Sequence, residues 1–462
     1  MLQTLRNHRR LVVAMLALQA VVIYVRVHKS SLFSDDFLNF AIFDESGLTI
    51  SYLLRDVFGQ VAPGYRLVQG IVFRLFGPSF IATATIIAAL SMTCSALLAG
   101  IARRLGASNP AIAAGLLIFI GLPQFTQTQQ WWAAAVHTIF SLTAILAASY
   151  CLAGSHRHRI ALGTFWFGIA LGFTAKVVCS PVILAAIAFY REWRVVREFV
   201  PALREALRAI VPVAALTALY MVGLAVFGPQ LGNAHPSASL LATYVWTNLV
   251  KATIGASFGL DAWGFDLPGW VSALGMILFA GWSIQKDRGL ALLWGATLIY
   301  VLASAAIIGW NRAGTFPDAG ATLRYGVEGA TFLVLGLMLG ISSLQLGRAA
   351  IFVTLLIATL VLINTQAHLR NRVLIAYPID ETRSYIRHLK ASLRQLKGRR
   401  DVVILQGTVP ESIMPAWMAP FGDVSRLLHL YSPLPVADRA KATHELMRDG
   451  SIRPITAGQA PL

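Results

Sequence analysis

The chain has 462 residues, 56% apolar and only 13% charged, with a formal net charge of +17. Soluble domains carry about 25% charged residues, so this composition excludes an ordinary soluble protein and points to a bundle of membrane-crossing helices with a small appended domain. The lysines and arginines fall in short clusters between apolar runs, the pattern of cytoplasmic loops, which excludes nucleic acid as a partner. Cys94, Cys151 and Cys179 lie in apolar segments without paired spacing or grouped histidines, and read as packing residues.

A helix needs about 20 apolar residues to cross a bilayer, because every backbone polar group must be satisfied within it. That length, with the Lys/Arg flanks, predicts eleven spans near 11–27, 80–101, 111–126, 133–152, 160–175, 178–190, 209–227, 268–284, 289–309, 324–346 and 350–366. The first follows "RNHRR" and has no small-residue cleavage site before Ser34, so it reads as a retained signal anchor. Alternate loops carry the positive clusters: Arg6, Arg9 and Arg10; Arg103 and Arg104; Arg157 and Arg159; Arg191, Arg194 and Arg197; Lys286 and Arg288; and Arg348. The positive-inside rule puts these and the N-terminus in the cytoplasm, and residues 28–79 and the C-terminus outside. The short segments around "TAKVVCSP" read either as two spans or as one broken helix. "GLMLG" at 336–340 matches the GxxxG packing pattern, which in a glycine-rich chain says little about dimerisation.

Two outer loops, 28–79 and 228–267, are too long for simple connectors. In the first, Phe37, Phe40 and Phe43 recur at helical spacing behind Ser34 or Asp35, either of which can cap, which predicts an amphipathic helix in the interface. A second helix should start at Pro63 and end near Gly77–Pro78. Residues 1–366 are thus expected to form the membrane module and 367–462 a small extracytoplasmic α/β domain. In that domain Ile386, Leu389, Leu393 and Leu396 share a helix face, Asp380 can cap its start, Gly398 can end it, and the tail after about 450 is disordered.

The adjacent carboxylates Asp35 and Asp36 stand at the outer mouth of the bundle. They can act as a general base toward a hydroxyl, hold a divalent cation (Mg or Mn), or simply cap a helix. Lys176 interrupts an apolar stretch, where charge is expensive; it marks function or reaches the outer interface. The stretch "QFTQTQQWWAAAVHT" offers Trp131 and Trp132 to stack on a sugar and Gln127, Gln129 and His137 to bond it, or else forms part of the interfacial aromatic belt. Tyr65 and Arg66 are further acceptor-side candidates, although Arg66 and Arg74 also suit lipid headgroups. Arg312, His235 and Lys251 lie on outer loops, and Asp261, Asp266 and Asp318 have no spacing that makes a metal site, so none is assigned.

Several stretches in order carry a resemblance: a short basic start and first span, "SDDF", then "APGYRLVQGIVFRLFGPSF" leading to a span ending "ARRLG", "GIALGFTAKVVCSPVILAAIAFYREWR", and "ATLRYGVEGATFLVLGLMLG". Together they cover most of residues 1–350 and resemble the GT-C superfamily of membrane glycosyltransferases, in the manner of its ArnT/PMT-like and actinobacterial arabinosyl- and mannosyltransferase branches. The resemblance implies an all-α polytopic bundle and a multi-pass protein of a bacterial inner membrane with an outward-facing site. It implies transfer of a sugar, with inversion, from a polyprenyl-phosphate donor to a cell-envelope glycan, lipid or protein. It assigns Asp35 as base, with Asp36 orienting it or sharing a cation. Arg324 is the best donor-phosphate contact, because a guanidinium matches phosphate oxygens, or else is an interfacial arginine; Lys176 and Arg312 are further phosphate candidates. The chain departs from many relatives at Ala62–Pro63, where they have a histidine before the proline, and in carrying Asp-Asp rather than Asp-Glu. A flippase of lipid-linked saccharides and a non-catalytic scaffold on the same fold are the rival readings; the flippase predicts repeated halves, and no internal repeat is visible.

Overall fold

The structure, a computed structural model, describes residues 2–56, 59–227, 236–257, 269–314, 317–345, 347–376, 379–414 and 422–455. Helix α1 (Leu2–Val27) leads into a first connecting region of three helices, α2 (Asp35–Ser46), α3 (Ile50–Leu53) and α4 (Pro63–Phe76). Then come α5 (Phe80–Arg104), α6 (Asn109–Gly121), α7 (Gln124–Gln130), α8 (Trp132–Leu152), α9 (Arg159–Leu171), α10 (Pro181–Val196), α11 (Phe199–Phe227) and α12 (Ala238–Thr247). The bundle continues with α13 (Gly269–Lys286), α14 (Leu290–Arg312), α15 (Val327–Ser343) and α16 (Arg348–Ala376).

Among the described residues, six helices are long and apolar enough to cross a membrane: Asn7–Val27, Phe80–Arg104, Trp132–Leu152, Phe199–Val226, Leu290–Arg312 and Leu323–Ser343. The pair α6 and α7, bent by 55°, makes a seventh if taken as one span. A helix lies at each of the eleven expected positions, but among the described residues six or seven of them, rather than eleven, have the length and composition of a full span. Helix α9 has 13 residues and α10 has 16, and a rise of about 1.5 Å per residue leaves both short of a ~30 Å hydrocarbon core. The ambiguous stretch 160–190 is two separate helices joined by the 3₁₀ turn Ala175–Cys179.

Helices α6, α8 and α15 are buried on nearly every face and form the centre, whereas α11, α13 and α16 expose large apolar side chains such as Leu219, Ile277 and Phe352. Apolar residues both inside and outside are what a lipid-facing bundle requires. The glycines of "GLMLG" serve packing within the chain: Gly336 receives the Trp294 ring and Gly340 the Phe279 ring, and a Cβ at either would come within 2.8 and 2.7 Å of ring carbons. Arg26, the one charge in the first apolar run, is buried at the break between α6 and α7. It donates to the Ile120 carbonyl at 3.0 Å, Gln129 Oε1 at 2.8 Å and Gln366 Oε1 at 2.9 Å. It thereby satisfies a carbonyl that the helix end leaves open.

The basic clusters meet at one end of the bundle. Arg197 in the α10–α11 turn bonds Asp287 in the α13–α14 turn at 3.1 Å, and Ser108 before α6 bonds Ser342 near the end of α15 at 2.9 Å. The opposite end holds α2, α4 and α7. Helix α4 starts at Pro63 and its C-cap Gly77, at φ 60°, donates to Phe73 O, as expected.

Helix α2 departs from expectation. Phe37, Phe40 and Phe43 are buried against protein, and so are Asp35 and Asp36, so it is an enclosed helix rather than one lying in the interface. Of the expected loop 228–267, residues 238–255 are helical: α12 runs into a wide π-helical segment, Asn248–Gly255.

Helix α16 continues through residue 366 to Ala376. Beyond it α17 (Ile379–Gln395) buries Ile386 and Leu389 and half-buries Leu393 on one face, and Leu396, just past its end, is buried as well. Asp380 sits in its first turn rather than before it, and Gly398, at φ 86°, follows its end. Strand β1 (Ile404–Leu405), α18 (Val424–Tyr431), β2 (Val436–Ala437), β3 (His444–Leu446) and β4 (Ile452–Pro454) complete a small sheet of order β2-β1-β3-β4. The central β1 is parallel to β2 and β3, and β3 is antiparallel to β4. Strand β4 falls in the tail expected to be disordered and pairs Leu446 with Ile452; residues 456–462 lie outside the described ones. Helix α18 rests on α2, with Arg426 Nε 2.6 Å from Glu45 Oε1 and His429 Nε2 3.2 Å from Asp44 Oδ2.

Candidate functional site

A cavity at the N-terminal end of α8 is lined by Asp35, Gln60, Trp131, His137, Lys176, Asn311, Arg312, Arg324 and Tyr325, among others. Six of the sequence candidates therefore converge, drawn from five separate parts of the chain.

The two aspartates have different jobs. Asp36 is fully buried, and both its oxygens accept backbone N–H groups, from Phe33 at 2.8 Å and from Ala133 at 2.7 Å. It ties the first turn of α8 to the start of α2. Burial pushes its carboxyl up to about 8, against the pull of those two amides. Asp35 instead lines the cavity, with Ser34 Oγ donating to its Oδ1 at 3.2 Å. Burial raises its carboxyl to about 6, and the nearby positive charges of Arg324 and Arg312 keep it from rising further.

A cation shared by the pair does not fit this arrangement, since Asp36 is committed to amides and leaves Asp35 as the one carboxylate directed to the cavity among the described residues. No group of three or more metal-ligating side chains occurs among the described residues. Ser34, expected to cap α2, holds the N-cap position without a side-chain cap bond and at φ 51°. A non-glycine residue there costs about 1–3 kcal/mol, and such strain gathers at functional sites.

Asn39, one turn after Asp35, was not singled out by the sequence. Its Nδ2 donates to the Asp35 carbonyl at 2.6 Å and to Tyr65 Oη at 2.7 Å, and its Oδ1 accepts from Arg66 at 2.9 Å. Arg66 is buried, bonds the Asp56 carbonyl at 2.8 Å and lies over the Tyr52 ring, so it braces the loop and is not among the side chains that line the cavity. Tyr65 is likewise buried and stacks on His137, the ring centres 3.9 Å apart. His137 Nδ1 lies 2.8 Å from the Phe173 carbonyl, which can only accept, so the proton sits on Nδ1. That leaves Nε2 as an acceptor, buried and without a partner among the described residues.

Arg324 lies over aromatic rings, its guanidinium carbon 4.5 Å from the centre of Trp131 and 5.1 Å from that of Tyr325; Arg312 is 5.7 Å from Tyr325. Lys176 is already spoken for. Its Nζ is 2.6 and 2.8 Å from the two oxygens of Glu328, and both side chains are buried. Paired in this way, the lysine brings little net positive charge to the cavity it lines. Glu328 went unremarked in "ATLRYGVEGATF", though a carboxylate inside an apolar span was signal enough.

Two sugar-binding candidates are structural. Trp132 is buried and donates to Gln69 Oε1 at 2.7 Å, and Gln129 accepts from Arg26 at 2.8 Å. Lys251, on the π-helical segment, is exposed and does not line the cavity. His235, Asp261, Asp266 and the side chain of Asp318 lie outside the described part of the structure.

No protein-family model matches the chain, and no curated protein matches it. Among solved structures it is similar to the crystal structure of ArnT from Cupriavidus metallidurans bound to undecaprenyl phosphate. That match has 14% identity and a TM-score of 0.46, and spans 93% of this chain and 86% of that one.

Proposed function

We propose that the protein is a membrane glycosyltransferase of GT-C type that moves a sugar from a polyprenyl-phosphate donor to an acceptor hydroxyl at the Asp35 end of the bundle. The observation that carries this reading is the juxtaposition in one cavity of a carboxylate raised to about 6 with two arginines lying over aromatic rings. A base in that range is ionised at neutral pH yet still a useful proton acceptor. The arginines suit the charge that develops on a departing phosphate.

In the proposed step the acceptor oxygen attacks the anomeric carbon opposite the donor phosphate and its proton passes to Asp35. The bond between the anomeric carbon and the phosphate oxygen breaks with its electron pair, and the polyprenyl phosphate leaves against Arg324 and Arg312. In-line displacement inverts the anomeric centre. Asp36 and Asn39 are positioning residues, one fixing α2 to α8 and the other holding the Asp35 backbone. His137 Nε2 offers an acceptor for a sugar hydroxyl, and the stacked Trp131 ring a wall. Residues 1–366 would supply this module and the unit from 367 would cover α2 from outside the membrane.

The test is reconstitution of the purified protein in liposomes with a radiolabelled polyprenyl-phosphate sugar and an envelope-glycan acceptor. The reading expects labelled product and stoichiometric release of polyprenyl phosphate with the wild type, and neither with folded Asp35→Asn. Movement of intact donor between leaflets without its cleavage would establish the flippase instead. Unchanged product with Asp35→Asn would remove Asp35 as the base.

A further inference from the structure

Helix α8 has 21 residues, so its two ends lie about 30 Å apart. Its far end borders a second cavity, of about 500 Å³, where Arg104 at the end of α5, His156 after α8, and Arg191 and Arg194 at the end of α10 converge. The backbone is shaped around these side chains. Gly106, at φ 85°, lies directly beneath the Arg194 guanidinium, where any Cβ would overlap it, and a Cβ on Gly154 would come within 2.6 Å of Arg104 Nη1. Arg104 is held in place: its guanidinium carbon is 3.4 Å from the centre of the Tyr150 ring, and Nη1 donates to the Tyr150 carbonyl at 2.6 Å.

The positive charge here is only partly offset. Arg191 pairs with Glu192 at 3.2 Å, whereas Arg104 and Arg194 have no carboxylate within ion-pairing distance among the described residues. The loop that supplies His156 continues into Arg157 and His158, which cap one end of an apolar groove between α9 and α11. Phe165, Gly168, Pro212 and Leu216 line that groove, and Phe165 is exposed on the flank of the bundle.

We propose that the arginine pocket binds the phosphate of an anionic phospholipid, with one of its acyl chains lying in the α9–α11 groove. Forked guanidinium donors match phosphate oxygens, and helix ends are where headgroups sit. A soluble anion would use the pocket alone; the adjoining apolar groove, open to the side, fits an amphiphile that arrives from the bilayer. A zwitterionic headgroup would bring its own cation to a site already in surplus. The site is independent of the proposed transfer chemistry.

The test is native mass spectrometry of the full-length protein in detergent, titrated with phosphatidylglycerol or with phosphatidylcholine of the same chains. The expected result is a preference for phosphatidylglycerol of at least about tenfold, weakened about fivefold by Arg194→Gln and ~25-fold by Arg104→Gln with Arg194→Gln. Arg104→Gln also removes a contact with Tyr150, so Arg194→Gln alone, at an exposed side chain, keeps the test decisive if the double variant misfolds. Gly168→Leu, which narrows the groove, should weaken long-chain phosphatidylglycerol but not its dihexanoyl form. Equal binding of the two lipids, or no effect of Arg194→Gln, would overturn the proposal. So would displacement of the lipid by equimolar inorganic phosphate, which would mark a site for soluble anions.

Discussion

The two ends of α8 use arginine in contrasting ways. At its start, Arg324 and Arg312 lie against aromatic rings in a cavity that also holds Asp35. At its end, Arg104 is also stacked on an aromatic ring, yet among the described residues no carboxylate pairs with it or with Arg194. Opposite charges enclosed together tune one another's affinity for a proton, whereas like charges gathered in a pocket draw in an anion and leave it unchanged. On the two proposals, the same residue type would serve chemistry at one end and adhesion at the other, and the accompanying acid would make the difference.

Asp35→Asn should separate the two ends most sharply. It is expected to lower transfer by about 10²- to 10⁴-fold, the usual contribution of a general base, while phospholipid retention at the far end is unchanged. In the wild type, kcat/KM should fall about tenfold per pH unit below about 6, where Asp35 gains its proton, and Arg324→Gln should move that limb to higher pH by removing a charge that favours the carboxylate. Stability runs the other way. Because the folded carboxyl titrates above the ordinary value, the stability it contributes is fully present below that value and is lost as pH rises through about 6. Thermal melting at pH 7.5 should accordingly show Asp35→Asn no less stable than wild type.

Next in size is Lys176→Met, which strands Glu328 as a buried charge and should cost about 3–5 kcal/mol in thermal or denaturant unfolding. Adding Glu328→Leu should recover most of that loss, since a well-packed apolar pair can replace a buried ionic one. A persistent loss in the double variant would mean that the pair holds more than itself. Asp36→Asn should be milder. It keeps one amide acceptor and loses the other, costing about 1–3 kcal/mol in melting, with transfer reduced far less than by Asp35→Asn. The smallest effect is expected for Arg426→Gln, which removes an exposed bridge to Glu45 worth about 0–1 kcal/mol in the same melts.

Some of this was legible in the residues. Apolar runs and basic clusters located the helices and sorted their ends, because hydrocarbon enforces both the length and the polarity of a helix. Pro63 and Gly77 bounded α4 through local backbone chemistry alone. Composition did not reveal which runs fall short of a full span, as with α9, because a short helix carries the same residues as a long one.

At the site, the residues alone marked Asp35, Arg312, His137, Trp131 and Lys176, since charged and hydrogen-bonding groups beside apolar runs are costly and stand out, and the family resemblance added Arg324. Tertiary structure alone decided how those groups are used. It spent Asp36 on two backbone amides, Lys176 on Glu328, Arg66 on Asn39, Trp132 on Gln69 and Gln129 on Arg26. A buried polar group must find a partner, and apart from the Phe33 amide, three residues before Asp36, these partners lie from 27 to 152 residues away in the chain, a pairing that no local pattern encodes. What remains directed to the cavity is the smaller set on which the proposed chemistry rests.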